Sequence, residues 1–155
     1  MAKSPEELIR IALEVACSVP SNDLPIAAII TDGAGSIVAS SKNCVVAGGR
    51  AGAHAELLAI ESLDLATLKA FSREMSIAVT LEPCPMCAWA IRSSGFGRLV
   101  FGAYNPKYGA AGSVYDLLRD RRHGRTVEVV GGVMEEECQR LLGDAFSDLR
   151  DNGSR

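Results

Sequence analysis

The strongest constraint on this chain is a set of four side chains split between two short segments. His54-Ala55-Glu56 supplies an imidazole and a carboxylate, and Pro83-Cys84-Pro85-Met86-Cys87 supplies two thiols. A fold that joins these segments builds a site with one nitrogen ligand, two sulfur ligands and a carboxylate nearby. Zinc sites that carry out chemistry keep three protein ligands and an open fourth position, whereas structural sites close all four. The chain holds only two histidines, His54 and His123, so the imidazole has few possible sources.

The residues around each motif suit that task. Pro83 and Pro85 flank Cys84 ahead of the helix-forming run Met86-Cys87-Ala88-Trp89-Ala90-Ile91, and proline is tolerated in a first helical turn. Cys84 and Cys87, three apart, then share one helix face, where both sulfurs reach one ion. The positive end of the helix also favours their thiolate forms. His54 opens a second helical run, Ala55-Glu56-Leu57-Leu58-Ala59-Ile60. Residues two apart on a helix point in different directions, so Glu56 belongs beside the metal and not on it. Other readings of the cysteines are a redox pair, a closed structural zinc completed by Cys44, Cys138 or His123, and two inert core residues. The flanking prolines and the upstream His-x-Glu count against the first and the last.

The rest of the chain reads as one domain over residues 1–155: 48% of it is hydrophobic, and no linker or low-complexity stretch divides it. Five cysteines is an odd number, and Met1-Ala2-Lys3-Ser4-Pro5-Glu6-Glu7 lacks the blocks of a signal peptide. A reducing cytoplasm is the expected setting. The apolar run Leu24 to Ile30 is far short of the roughly 20 residues a membrane span needs, so no membrane partner is expected. A net charge of −3 and a pI near 5.4 provide no global attraction to phosphate. The one basic stretch, Arg119 to Arg125, fits either phosphate contact or a solvated helix end.

Local signals predict alternating elements. Ser4-Pro5-Glu6-Glu7 reads as a capping box that opens a helix to about Cys17. Strands at 25–31 and 36–43 flank the turn Asp32-Gly33-Ala34-Gly35. The His54 helix, a strand at 76–81, the Cys84 helix and a strand at 98–102 follow. Ser113-Val114-Tyr115-Asp116 predicts another helix start, residues 127–130 a last strand, and 135–149 a closing helix with Leu141, Leu142, Ala145 and Phe146 inward. Trp89 is expected in the core. The pattern implies an α/β fold, a three-layer α/β/α sandwich around a mixed sheet of about five strands.

Beyond the two motifs, the stretches Val79 to Ala88, Gly97 to Ala103, Gly109 to Ser113 and Val130 to Val133 resemble the cytidine deaminase-like superfamily, which carries H-x-E and P-C-x-x-C. Within it, the chain is most similar to bacterial tRNA adenosine deaminases, which are zinc-dependent homodimers. The resemblance implies that His54, Cys84 and Cys87 bind Zn²⁺, that Glu56 shuttles protons, and that Asn43 contacts the substrate base. It implies hydrolytic removal of an exocyclic amine from a ring, leaving a carbonyl and ammonia.

The chain departs from the family pattern where a relative would touch nucleic acid. Arg50-Ala51-Gly52-Ala53 stands in place of Asp-Pro-Thr, Asn105 in place of an aspartate, and His123-Gly124-Arg125-Thr126 in place of Asn-His-Arg; Ser147 to Gly153 replaces a basic tail. The sequence therefore favours a free nucleobase, nucleoside or related amino-heterocycle as substrate. Deamination of the wobble adenosine in a tRNA anticodon loop is the alternative, and a catalytically silent binding subunit the second alternative.

Overall fold

The computed structural model describes residues 1–153. Its first helix, α1 (Pro5–Cys17), begins as its sequence dictates: the Glu7 amide donates to Ser4 Oγ at 3.2 Å, and the Ser4 amide donates to Glu7 Oε2 at 2.7 Å. The chain then enters β1 (Ala27–Thr31) and returns in β2 (Ile37–Lys42). Asp32 ties the connecting turn by accepting from the Ala34 and Ser36 amides, and Gly35 takes the left-handed φ of 88° that the turn requires.

Among the described residues, five further α-helices and three strands follow: α2 (Val45–Gly48), α3 (Ala55–Glu61), α4 (Leu65–Phe71), β3 (Ser76–Leu81), α5 (Pro85–Ser93), β4 (Arg98–Ala103), β5 (Glu128–Val130) and α6 (Glu135–Gly153), with short 3₁₀ turns at Ser72–Glu74 and Arg121–His123. The sheet order is β2-β1-β3-β4-β5, with β1 antiparallel to both neighbours and β3, β4 and β5 parallel. This is the mixed five-stranded sheet of the α/β sandwich expected from sequence.

Strand periodicity sorts the two faces. Ala28, Ile30, Ile77, Val79, Leu99 and Phe101 pack with Ala55, Ala59, Leu68, Ala88 and Ile91, so α3, α4 and α5 cover one face. The intervening Ile29, Ala78 and Val100 pack with Leu8, Ile9, Cys138 and Leu142, so α1 and α6 cover the other. Full burial of each large side chain contributes about 1.5–3 kcal/mol.

Three local expectations are corrected. The helix predicted at Ser113 does not form: residues 111–116 make an isolated antiparallel bridge between Ala111 and Asp116, because the amide and hydroxyl of Ser113 donate to Glu82 instead of capping a helix. Phe146 is exposed, since the inward stripe of α6 runs Cys138, Leu142, Ala145 and leaves Phe146 on the flank. Trp89 is also exposed, because α5 turns Cys87, Ala88, Ile91 and Arg92 inward. Two helices were not anticipated, α2 and α4; the Asp64 cap on the Thr67 amide was the unread signal for α4.

This topology brings strand ends together. β1 runs antiparallel to β3, so the residues before Ala27 lie at the same sheet edge as those after Leu81. The end of β2 and the end of β4 arrive there too. Ligand sites in open α/β sheets favour such an edge.

Candidate active site

His54 and Cys84 occupy equivalent positions, each the residue in extended conformation just before a helix: His54 before α3 and Cys84 before α5. Pro85 starts α5 with its φ already suited to a helix, and Cys87 lies in its first turn. The backbone bond from the Cys44 amide to Ala53 O, 2.9 Å, fastens the loop before His54 to the end of β2.

The result is a compact donor set. His54 Nδ1 stands 3.7 Å from Cys84 Sγ and 3.5 Å from Cys87 Sγ, and all three ligand atoms lie within 4.8 Å of one another. Tetrahedral zinc with Zn–S of about 2.3 Å and Zn–N of about 2.0 Å separates sulfur from nitrogen by about 3.5 Å. The observed spacings fit that geometry. Among the described residues, no other ligand atom from His, Cys, Asp or Glu joins the cluster. His123 packs edge-on against Trp89, and Cys138 is buried in the layer of α6, which removes two of the sources for a closed structural site.

The thiols divide one proton between them. A hydrogen bond from Cys87 holds the Cys84 thiol down at about 5, against the burial that would raise it, and the nearby His54 lowers it further. The same bond to Cys84 pushes Cys87 up, helped by burial and by the charge of Glu56. A cation bound here must therefore displace the Cys87 proton. Glu56 is buried in the first turn of α3, and burial raises its carboxyl above the ordinary range. The Cys84 charge adds to this rise, while the Glu56 amide, His54 and Cys87 oppose it.

A cavity of about 420 Å³ opens beside His54, Glu56 and Cys84. Val45, Val46 and Leu81 form apolar wall, and Asn43, Asn105 and Tyr108 bring polar groups to it. The sequence-predicted site residues His54, Glu56, Cys84, Cys87 and Asn43 thus meet at one place: Asn43 lines the cavity, and Cys87 joins the donor cluster beside it.

Two buried carboxylates at this site were missed. Asp23 accepts from the Val46 amide at 2.6 Å and the Ala47 amide at 3.0 Å, and so fixes the short helix α2 that carries the valines. Burial pushes its carboxyl up, but these amides and the Ser21 hydroxyl leave it below the ordinary range. Glu82, 1% exposed, accepts from amides of the loop that follows β4. Its signal was a lone acid ending the apolar run Ser76-Ile77-Ala78-Val79-Thr80-Leu81.

Residues 2–103 match the family described as the cytidine and deoxycytidylate deaminase zinc-binding region. The chain belongs to that family. The deaminase is 40% identical over 128 residues to a tRNA-specific adenosine deaminase of Bacillus subtilis, covering 83% of this chain and 79% of the relative. Its fold superposes with a TM-score of 0.78 on a tRNA:A34 deaminase solved in work on A-to-I editing at the wobble position, at 31% identity, covering 88% of this chain and 99% of that one. It also superposes on the guanine deaminase of Nitrosomonas europaea with a TM-score of 0.71 at 26% identity, covering 94% and 85%. The chain is accordingly an enzyme of deaminase type whose His-Cys-Cys group is positioned to hold zinc. No helix of the described residues is long and apolar enough to cross a membrane.

Proposed function

We propose that the deaminase, a single domain over residues 1–155, converts adenosine to inosine at the wobble position of tRNA in the cytoplasm. The observation that carries this reading is the 40% identity to a tRNA-specific adenosine deaminase across four fifths of that relative. Sequence alone favoured a free ring, on departures at Arg50, Asn105 and the C-terminus. That order is now reversed. The departures are confined to short segments, residues 50–53, 105, 123–126 and 147–153, whereas the similarity runs through most of the chain.

His54, Cys84 and Cys87 would hold the zinc, which when bound would supply Lewis-acid activation of water. Glu56 would take a proton from the attacking water and return protons to the ring nitrogen and the departing amine, so that the ring would gain a carbonyl as ammonia leaves. Its buried carboxyl, raised above the ordinary range, suits both halves of this transfer. Asn43 hydrogen-bonds the base edge, and the valines and Leu81 exclude bulk water from the ring. Tyr104, Tyr108 and Tyr115 are exposed, which supplies faces on which splayed loop bases can stack. Met86 and Trp89 expose apolar surface on α5, which supports a homodimer; a monomer by light scattering at micromolar concentration would defeat that part.

A second reading, a free amino-heterocycle, is supported by the cavity lining, which among the described residues contains no Lys or Arg to receive a substrate phosphate. Inosine formation in an anticodon stem-loop, run beside ammonia release from a panel of bases and nucleosides, separates the two. The tRNA reading expects efficient inosine formation that falls with salt. Turnover of a small ring without any inosine in the stem-loop would replace it.

A further inference from the structure

The loop from Asn105 to Ser113 is irregular, yet it places Asn105 and Tyr108 in the cavity wall. One buried side chain, Glu82, ties both ends of it to the end of β3. Glu82 Oε1 accepts from the Asn105 amide at 3.1 Å and from the Ser113 hydroxyl; Oε2 accepts from the amides of Ala111 at 3.0 Å and Ser113 at 3.1 Å. The next residue continues the seam, since Pro83 O accepts from the Ala110 amide at 2.8 Å. Gly109 completes the fit: a Cβ there would run into the Glu82 carboxyl group and the Asn105 carbonyl oxygen. Glu82 stands two residues before Cys84, at the end of the strand that delivers the cysteines.

We propose that Glu82 is a positioning residue that fixes the 105–113 loop to the segment bearing the metal ligands, so that the cavity wall and the donor set keep one geometry. The inference rests on the deaminase reading of the cavity. A carboxylate suits the position because all four of its partners donate. Glutamine, the same size, cannot satisfy them. With its amide nitrogen at the Oε2 position it meets two backbone N–H groups. At the Oε1 position it meets only the Asn105 N–H, because the Ser113 hydroxyl can turn and accept. Glu82→Gln therefore takes the second orientation, keeps the Ala111 and Ser113 bonds, and releases the Asn105 end of the loop.

The test compares the zinc-loaded wild-type chain with Glu82→Gln and with Gly109→Ala, which strains the same seam from the other side. Amide hydrogen exchange is expected to speed up at least tenfold at Asn105 in Glu82→Gln, with Ala111 and Ser113 retaining protection and zinc content unchanged. On the substrate that wild type turns over best, KM is expected to rise about tenfold or more, the scale of a lost hydrogen bond to a charged group. Gly109→Ala is expected to raise KM as well, and to add little further in the Glu82→Gln background. Wild-type exchange at Asn105 in Glu82→Gln overturns the proposal. Faster exchange with unchanged KM overturns its functional half. Absence of turnover by wild type on every substrate offered counts against the deaminase reading alone, and the exchange result still decides the role of Glu82.

Discussion

Replacing Glu56 with glutamine separates what this residue does for chemistry from what it costs the fold. The side chain is 4% exposed, and glutamine preserves its shape while removing its charge and its capacity to take a proton. His54, Cys84 and Cys87 are untouched, so zinc content should match wild type. Turnover should fall by about 10²–10⁴, the usual worth of a positioned general acid and base. Stability should move the other way in metal-free protein. Burial raises the Glu56 carboxyl in the folded state, so the unfolded chain loses this proton at lower pH than the folded one. Folding stability then declines as pH rises through the unfolded value of about 4.3, and the loss is complete above the raised folded value. Glu56→Gln escapes that loss. Its melting temperature should match wild type near pH 4 and exceed it at pH 7, with a smaller gap once zinc offsets the charge. Steady-state ammonia release, metal analysis and calorimetry across pH 4–8 check the three parts. Wild-type turnover, or a variant less stable than wild type at pH 7, would refute the reasoning.

Three more outcomes follow from described contacts. His54→Ala or Cys87→Ser should leave less than about a tenth of the chains loaded with zinc, because three protein ligands are the minimum for such a site; full loading of either by metal analysis refutes the ligand set. Zinc affinity should rise with pH between about 6 and 8, since binding must displace the proton that Cys84 holds on Cys87; a flat competition titration would contradict this. A Cβ at Gly131 would press into the Phe101 ring, so Gly131→Ala should lower stability by about 1–3 kcal/mol in denaturant titration, and an unchanged midpoint would show that the ring yields freely.

Much of this was legible from residue order because the signals are local. Ser4, Pro5 and Glu7 lie within one turn of the helix they start, and alternating faces of Ile77, Ala78 and Val79 require only the strand period. His54, Glu56, Cys84 and Cys87 were readable because each motif is short and its donor types are distinctive. Asp23 and Glu82 were not, since most of their partners are backbone amides more than 20 residues away, and the residues around each acid do not disclose those partners. The same cause misplaced the helix at Ser113: a residue that caps helices was engaged by a carboxylate that only the tertiary fold supplies. Trp89 went wrong for a different reason, because a nine-residue helix has a narrow inner face and hydrophobicity alone does not say which side a tryptophan takes.

His54 and Cys84 each stand where a helix would normally carry a side-chain cap, and neither side chain caps its helix. Each substitution of a capping residue typically forfeits about 1 kcal/mol, so α3 and α5 begin at deliberately weak ends. An ion held by both residues fastens those two ends to each other. Metal starvation should then be felt as fraying of two first turns at once, while the helices on the opposite face of the sheet, which share none of these residues, keep their protection. The chain would stay folded yet lose the shape of its site, so that reloading needs only local ordering and no refolding.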